Sequence, residues 1–317
     1  MTGSAQRIAF ITPTKDRPED LRKMLASLAG QTHKPDQVIV VDASGEPVEA
    51  VVHSIDGLEV DYLRWTEKPS AAAQRNGGLA LLRDEIGLVC FFDDDQILHP
   101  DALEKMLAFW QVASDKVGGA SFNMANYTDH RSGRLKMSRL SDALGLYRSE
   151  SGRVASSGWQ SLYGRVTQNT GVEWIGSGAS VWRKGILDEF HFDPFFEGYS
   201  YLEDLDFSYS VSRKYKLTVV ADACFEHYPR YSQRTDSYRF GRVEVINRLY
   251  FVRKHGLSIP TCCLGLFIRW LMTLKAAAIA GDGKALSRAL GNLAGIVTAC
   301  RHQEFESGGD TVLGEKC

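Results

Sequence analysis

The chain has 317 residues, of which 44% are hydrophobic and 24% are charged, a composition typical of proteins with a substantial buried core. Its formal net charge of -2 excludes the large positive excess with which nucleic-acid-binding proteins neutralise phosphates. The six cysteines lack zinc or redox dithiol spacing, and the N-terminal segment turns polar before any apolar run of signal-peptide length. We therefore expect a cytoplasmic protein with reduced thiols and no nucleic-acid partner.

Residues 7–124 alternate short apolar, β-branched runs with segments of helical pattern. The runs are IAFIT, QVIVVD, LEVDYL, LVCFFD and VGGASF. After the first run, Pro18 marks a helix start, and Leu21, Leu25 and Leu28 fall on one helical face. This succession predicts an α/β fold in which a mostly parallel sheet is covered by helices.

The carboxyl ends of the predicted strands carry acidic and hydroxyl groups. These ends are Thr12–Asp16, Asp42 and Asp93–Asp95. Because ligands of open α/β sheets bind beyond the carboxyl ends of the strands, we expect the functional site there.

The rest of the chain changes character twice. Residues 125–171 are polar and predict a loop-rich insertion, and a helix near Glu203 and a strand at LTVVA follow. Helices are predicted at 237–255, at roughly 260–280 and at 283–303. The apolar run within the second of these is interrupted by Arg269 and Lys275 and falls short of about 20 residues, so we expect a buried helix in preference to one at a membrane surface.

The segment FFDDDQILHP places three adjacent carboxylates directly after a strand. Like charges at this separation repel unless a cation or hydrogen-bond donors relieve them. Continued strand alternation puts Asp93 and Asp95 on one side and Asp94 on the other. Carboxylates suit Mg²⁺ and Mn²⁺. A solvated acidic turn that caps the helix near Pro100 is the open alternative.

Two further segments carry candidate chemistry. Glu203 and Asp204 occupy the predicted first turn of a helix, where the dipole keeps a carboxylate ionised and able to accept a proton. Taken alone, the simple preference for acids at helix starts explains Glu203, Asp204 and Asp206 without any catalysis. His227 follows the next strand and is either a metal ligand or an ordinary hydrogen-bonded histidine.

Taken in order, these segments resemble family 2 glycosyltransferases, which have the GT-A fold and use nucleotide sugars. ITPTKDRPEDLRKMLASLAGQTHKPDQVIVVDAS resembles the first βαβ unit of that family, FFDDDQILHP its metal-binding DxD element and YLEDLDFSYSV its ED element. The resemblance runs from about Arg7 to His255. It implies that Asp42 recognises the nucleoside, that Asp204 is the general base and that His227 contacts the metal or diphosphate. VDASG departs from the commoner Asp-Asp-Gly-Ser ending, which leaves the nucleobase open.

The resemblance also assigns the remaining site residues. Donor binding is expected at Pro13, Thr14, Asp16, Arg17, Asp42, Arg75, Asn76, Asp93, Asp94 and Gly178. The acceptor side is expected at Trp174 and Glu203, and Mn²⁺ or Mg²⁺ at Asp93, Asp95 and His227. A helix-surface role for Arg75 and a core-filling role for Trp174 stay open. Two roles are open for Arg234, Arg239 and Arg242. They either bind the diphosphate or an anionic acceptor, or they are simply solvated at the start of a helix.

The implied enzyme is an inverting, metal-dependent glycosyltransferase that uses a nucleoside-diphosphate sugar. Its acceptor is a glycan or lipid-linked molecule in polysaccharide or glycolipid synthesis, at the cytoplasmic face of a membrane with peripheral contact. We expect a catalytic domain over 1–230, with a nucleotide-binding part at 7–124 and an acceptor-side part at 125–230, and a helical region over 231–317. A nucleotidyltransferase and a non-catalytic sugar- or nucleotide-binding module are the alternatives.

Overall fold

The computed structural model describes residues 6–128, 139–196, 200–229 and 236–306, with side chains up to residue 299. The chain forms two compact units. The first comprises Met1–Ala143, Tyr147–Ala155 and Trp159–Tyr231, and the second comprises Leu144–Leu146, Ser156–Gly158 and Ser232–Cys317.

A single nine-stranded sheet organises the first unit. Its strands are β1 (Arg7–Thr14), β2 (Gln37–Asp42), β3 (Val60–Arg64), β4 (Ile86–Phe92), β5 (Gln96–Leu98), β6 (Val117–Met124), β7 (Thr170–Val172), β8 (Ala179–Arg183) and β9 (Lys216–His227). Their order is β3-β2-β1-β4-β8-β6-β9-β5, with β7 paired to β9. The strands β3, β2, β1 and β4 are mutually parallel, whereas β8 runs antiparallel to both of its neighbours. The predicted parallel sheet is therefore one half of a larger mixed sheet.

Helices cover both faces of this sheet. The α-helices of the described part of the first unit are α1 (Pro18–Ala29), α2 (Glu49–Val52), α3 (Ala71–Leu79), α4 (Ala102–Val112), α5 (Arg139–Ala143), α6 (Lys184–Glu189) and α7 (Glu203–Ser212). Alternation along β4 sends Phe92 into the core beneath α1 and α4, and Phe91 into the core that contains Phe207 of α7. The α/β fold class predicted from the sequence is confirmed.

The described part of the second unit consists mainly of three helices, α8 (Ser237–Lys254), α9 (Ile259–Ala280) and α10 (Gly283–Glu306). Helices α8 and α10 touch backbone to backbone, because a Cβ atom at Gly291 would lie 2.0 Å from the carbonyl oxygen of Tyr238. The buried carboxylate of Glu244 accepts hydrogen bonds from Arg269 and Arg288 and thereby links all three helices.

Helix α9 differs from its prediction. It has 22 residues, and an 18-residue window within it has a mean hydropathy of 1.6, so by length and composition alone it could cross a membrane, as could the core helix of a soluble protein. Only Cys262, Gly265 and Leu266 are buried along it. The expectation of a buried helix is therefore wrong for most of its length, because its apolar residues extend around more of the helix than the rest of the unit covers.

Candidate functional site

The acidic triplet does not alternate as the sequence predicted. Strand β4 ends at Phe92, and the residues that follow form a turn. Asp94 and Asp95 both pair with Arg17, at 3.1 and 3.3 Å, whereas Asp93 pairs with Arg75 at 2.7 Å. The prediction that Asp93 and Asp95 share a side is therefore wrong, because side-chain alternation stops where the extended backbone stops.

Asp94 is the buried member of the triplet. Its carboxylate accepts a hydrogen bond of 2.7 Å from the hydroxyl of Thr14 and another from Arg17. Burial raises the pKa of Asp94 to about 7, although Arg17 and Thr14 favour the ionised form. The contacts tie the triplet to the carboxyl end of β1.

Asp95 lies beside His227, as the sequence suggested for a metal site. Strand β5 pairs antiparallel with β9 and sets Gln96 opposite His227. This register brings the Nε2 atom of His227 to 3.3 Å from the Oδ1 atom of Asp95. Burial acts to raise the pKa of Asp95, but His227 and Arg17 outweigh it and hold that pKa below its ordinary value.

One carboxylate and one imidazole at this distance fit two positions around a divalent cation, with other positions open to a diphosphate. Within the described residues no group of three or more His, Cys, Asp or Glu side chains converges on a cation position. Asp95 and His227 are the pair of predicted metal ligands that lie in contact in this structure. Asp93 pairs with Arg75, and its expected role as a metal ligand stays a prediction.

Arg75 is buried between two acids. Its side chain is 3% exposed and bonds to Asp93 and to Glu203, the latter at 3.3 Å, while its guanidinium packs over the ring of Phe192. The helix-surface alternative for Arg75 is therefore wrong. A buried arginine with two carboxylate partners fixes the start of α7 relative to the end of β4.

The start of α7 places Asp204 at the edge of a cavity. Ser200 and Leu202 adopt left-handed backbone conformations, with φ of 44° and 76°, immediately before Glu203. Such strain is uncommon for residues other than glycine and clusters at functional sites. The N–H of Leu205 donates to Asp204, and burial raises the pKa of Asp204 against the opposing effects of that N–H and of Arg75.

The cavity has a volume of about 270 Å³. Its polar groups include Arg75, Asp93, Glu203, Asp204 and His227, and its aromatic groups include Tyr127, Tyr163 and Trp174. Trp174 is buried and donates its indole N–H to the carbonyl of Ser161, so it both fills the core and lines the cavity. Gly178 packs closely against Asp93, because a Cβ atom at position 178 would lie 2.5 Å from the Oδ2 atom of Asp93 and would displace that side chain.

Sequence reasoning missed Tyr127 and Tyr163. Both lie in the segment predicted as a loop-rich insertion, where no period marks a side chain as inward-facing. The ring of Tyr163 contacts that of Trp174 at 5.4 Å, and the N–H of Gly176 donates to its hydroxyl oxygen. The sequence feature that could have identified them is the presence of aromatic residues in the otherwise polar segment that precedes the GVEWIGSGAS motif.

Asp42 is fully buried at the end of β2. Its carboxylate accepts hydrogen bonds from the backbone of Ser44 and Val48, from the hydroxyl of Tyr62 and from Arg64. Burial acts to raise its pKa, but these donors lower it overall. Asp42 therefore holds the loop after β2 in this structure, and nucleoside recognition by Asp42 stays a prediction that requires some of these bonds to be exchanged.

The remaining residues predicted to bind the donor lie either near the loop after β2 or away from it. Asp16, with a φ of 55°, accepts a hydrogen bond from Gly45 and lies beside that loop, next to Pro13 and Thr14 at the end of β1. Asn76, in contrast, exchanges two hydrogen bonds with the backbone of Phe192. The structure gives Asn76 a positioning contact, and its expected contact with the donor stays a prediction.

The basic segment near residue 240 is solvated where it is described. Arg239 and Arg242 are exposed on α8, which favours the simple surface interpretation. Arg234 lies outside the described residues.

The fold and the cavity define a GT-A type α/β protein with an acidic site at the carboxyl edge of its sheet. Residues 9–171, a little over half of the chain, match the model of Glycosyl transferase family 2. The chain belongs to this family, as the sequence predicted. A curated relative, the uncharacterized glycosyltransferase YwdF of Bacillus subtilis (strain 168), is 28% identical over 100 residues, which cover 32% of this chain and 37% of that protein.

Solved structures share the fold at low identity. Mannosyltransferase PcManGT from Pyrobaculum calidifontis, in complex with GDP-Man and Mn²⁺, has a TM-score of 0.53 and 14% identity over 95% of this chain and 88% of that one. S. aureus TarS 1–349 in complex with UDP-GlcNAc has a TM-score of 0.51 and 16% identity over 95% of this chain and 92% of that one. A longer TarS chain is covered over 40% of its length. The likenesses to PcManGT and to TarS 1–349 establish the fold.

Proposed function

We propose that this chain transfers a sugar from a nucleoside-diphosphate sugar to an acceptor hydroxyl, in one displacement that inverts the anomeric carbon. The observation that carries the proposal is the convergence of Asp204 with the Arg75–Asp93 pair on one cavity. Family membership supports glycosyl transfer, and two proteins of the same fold bind GDP-Man and UDP-GlcNAc.

In this mechanism Asp204 accepts the proton of the acceptor hydroxyl while that oxygen attacks the anomeric carbon. Burial raises the pKa of Asp204, so its carboxylate holds a proton more strongly than an ordinary aspartate does. Arg75 is a positioning residue, because it holds Glu203 beside the base and Asp93 against Gly178.

The proposed cofactor is Mn²⁺ or Mg²⁺, held by Asp95 and His227. A bound cation neutralises charge that develops on the departing nucleoside diphosphate. In the structure Arg17 supplies positive charge beside the same acids, 3.3 Å from Asp95. The complex of PcManGT, a protein of the same fold, with GDP-Man and Mn²⁺ supports a divalent cation as the cofactor.

The proposed acceptor is a glycan or a lipid-linked sugar, used in polysaccharide or glycolipid synthesis at the cytoplasmic side of a membrane. Tyr127, Tyr163 and Trp174 line one part of the cavity, and aromatic side chains suit the apolar faces of sugar rings.

A panel of nucleotide sugars with Mn²⁺ tests the proposal through release of free nucleoside diphosphate. Asp204→Asn is expected to keep donor affinity, measured by calorimetry, and to lose turnover by about 10²- to 10⁴-fold. The exposed Asp188→Asn on α6 is the matched control and keeps turnover. Normal turnover in Asp204→Asn eliminates the base assignment. A product that retains the nucleotide identifies a nucleotidyltransferase, and nuclear magnetic resonance of the new linkage checks inversion.

Asp95→Ala tests the metal assignment separately. Loss of one of two protein ligands is expected to weaken donor binding in Mn²⁺ and to make that binding insensitive to chelator. The Asp101→Ala variant, which removes a half-buried acid paired with Lys105, is the control. Equal donor affinity of Asp95→Ala and wild type in Mn²⁺ contradicts the metal role.

A further inference from the structure

Helix α9 presents apolar side chains to solvent along most of its length. Leu264, Phe267, Leu271, Met272 and Ile279 are between 44% and 77% exposed. Their spacing of mostly three, four or seven residues places them along one broad face of the helix. Single exposed apolar residues are ordinary on protein surfaces, whereas a continuous series on one helix face marks an interaction surface.

Helix α10 continues the same pattern. Leu286, Leu290, Leu293, Ile296 and Val297 are between 40% and 52% exposed and follow a helical spacing. The opposite side of α10 holds the residues that pack inside the unit, including Gly291, Asn292 and Gly295. The two helices pack against each other and are joined by the two residues Gly281 and Asp282. We call the ten exposed residues of α9 and α10 the apolar surface.

The described part of the second unit, which includes the apolar surface, carries an excess of positive charge. Residues 236–299 contain nine Lys and Arg residues and three Asp and Glu residues, although the whole chain has a net charge of -2. Lys275 on α9 and Lys284 on α10 are exposed, whereas Arg269 and Arg288 pair with the buried Glu244 inside the unit. A basic surface with an apolar face is complementary to anionic lipid headgroups above a hydrocarbon layer.

We propose that the apolar surface docks this chain onto an anionic lipid bilayer, with α9 and α10 lying in the plane of the interface. A spanning arrangement of α9 conflicts with the structure, because it would place Lys275 in hydrocarbon and remove Arg269 from Glu244. A second copy of this chain is a poorer occupant, because residues 236–299 of both copies carry the same excess of positive charge. This docking is independent of the proposed transfer reaction.

Flotation of the full chain with vesicles tests the proposal. The chain is expected to bind vesicles of phosphatidylcholine that contain about 30% phosphatidylglycerol. Its affinity for vesicles of phosphatidylcholine alone is expected to be lower by about tenfold or more. The double variant Phe267→Glu/Leu271→Glu is expected to reduce binding to the anionic vesicles by about tenfold or more, since two partly exposed apolar side chains no longer enter the interface. Val112→Glu, at an 84% exposed apolar position on α4, is the matched control and binds like wild type.

Charge and apolar contributions are separated by Lys275→Glu/Lys284→Glu, which is expected to remove the preference for anionic vesicles. Circular dichroism checks that each variant is folded. Hydrogen exchange on the wild-type chain gives a readout without substitutions, since residues 259–297 are expected to gain protection with anionic vesicles while α4 does not. Absence of vesicle binding by wild type, equal binding to both lipids, or a stable dimer abolished by the double variant would each overturn the proposal.

Discussion

At the scale of single residues, Asp94 links the site to stability. Its pKa in the folded protein is about 7, against an ordinary value of 3.8, so the folded state binds the proton more strongly than the unfolded state. A raised carboxyl pKa contributes stability that is fully present below the unfolded pKa and is lost as pH rises through the folded pKa. Asp94 therefore favours unfolding progressively between about pH 4 and pH 7.

Asp94→Asn is expected to remove that dependence. The free energy of unfolding of wild type, measured with urea in the presence of a chelator, loses up to about 1.4 kcal/mol per pH unit in this window through Asp94. The variant lacks this loss, since its amide does not titrate. Asp188→Asn should keep the wild-type slope. Parallel slopes for Asp94→Asn and wild type would show that Asp94 is ionised throughout.

The proposed base gives a second prediction at this scale. Because only ionised Asp204 accepts a proton, turnover falls as pH decreases through its pKa, at a midpoint above the ordinary aspartate value of 3.8. Arg75 lowers that pKa, so Arg75→Met is expected to move the acid limb of the kcat profile to higher pH. Arg75→Lys keeps the charge and is the control. An unmoved limb in Arg75→Met argues against electrostatic coupling of Arg75 to the base.

At the residue scale, the sequence predicted which side chains belong to the site more readily than the hydrogen bonds that each of them makes. Asp95 and His227 were predicted together and lie 3.3 Å apart. The hydrogen bonds that Asp42 accepts from Tyr62 and Arg64 were not predictable from the sequence. Both donors lie on β3 and come close to Asp42 because β2 and β3 pair as parallel strands. Contacts between separate strands depend on register, which a single strand pattern does not specify.

At the scale of elements, the packing of α8 on α10 depends on glycine. A Cβ atom at Gly291 would lie 2.0 Å from a backbone oxygen that has no rotamer with which to move away. Gly291→Ala is expected to destabilise the second unit by about 2 to 3 kcal/mol, as overpacking does. Gly283→Ala on the same helix, where nothing lies within 4 Å, should be neutral. Comparable melting temperatures for both variants would contradict this close packing.

Element boundaries were largely predictable and sheet order was not. The three C-terminal helices follow their predicted limits, because their periodicity is long and ends at Gly281 and near Gly256. Strand β9 is much longer than the predicted LTVVA run, since it continues through Asp222, Cys224 and Glu226 to His227. Pairing with β6 and with β5 sustains those polar positions in strand geometry.

At the scale of the whole molecule, donor binding and surface docking have separate readouts. A nucleoside diphosphate with Mn²⁺ at 100 times its Kd is expected to stabilise the folded chain by about 2.7 kcal/mol through mass action. Phe267→Glu/Leu271→Glu should retain this shift of melting temperature, because all lining residues of the cavity belong to the first unit. Loss of the shift in that variant would contradict the assignment of the donor site to the first unit alone.

The uneven distribution of charge also bears on how the protein behaves during purification. Residues 236–299 hold nine of the 37 Lys and Arg residues but only three of the 39 Asp and Glu residues. A protein with a calculated isoelectric point near 6.5 is ordinarily loaded on an anion exchanger at neutral pH. This chain should also be retained on a cation exchanger at pH 7 and low salt. The exchanger binds the basic region of the protein surface that faces it, whereas the net charge is a sum over the whole chain and does not show that region.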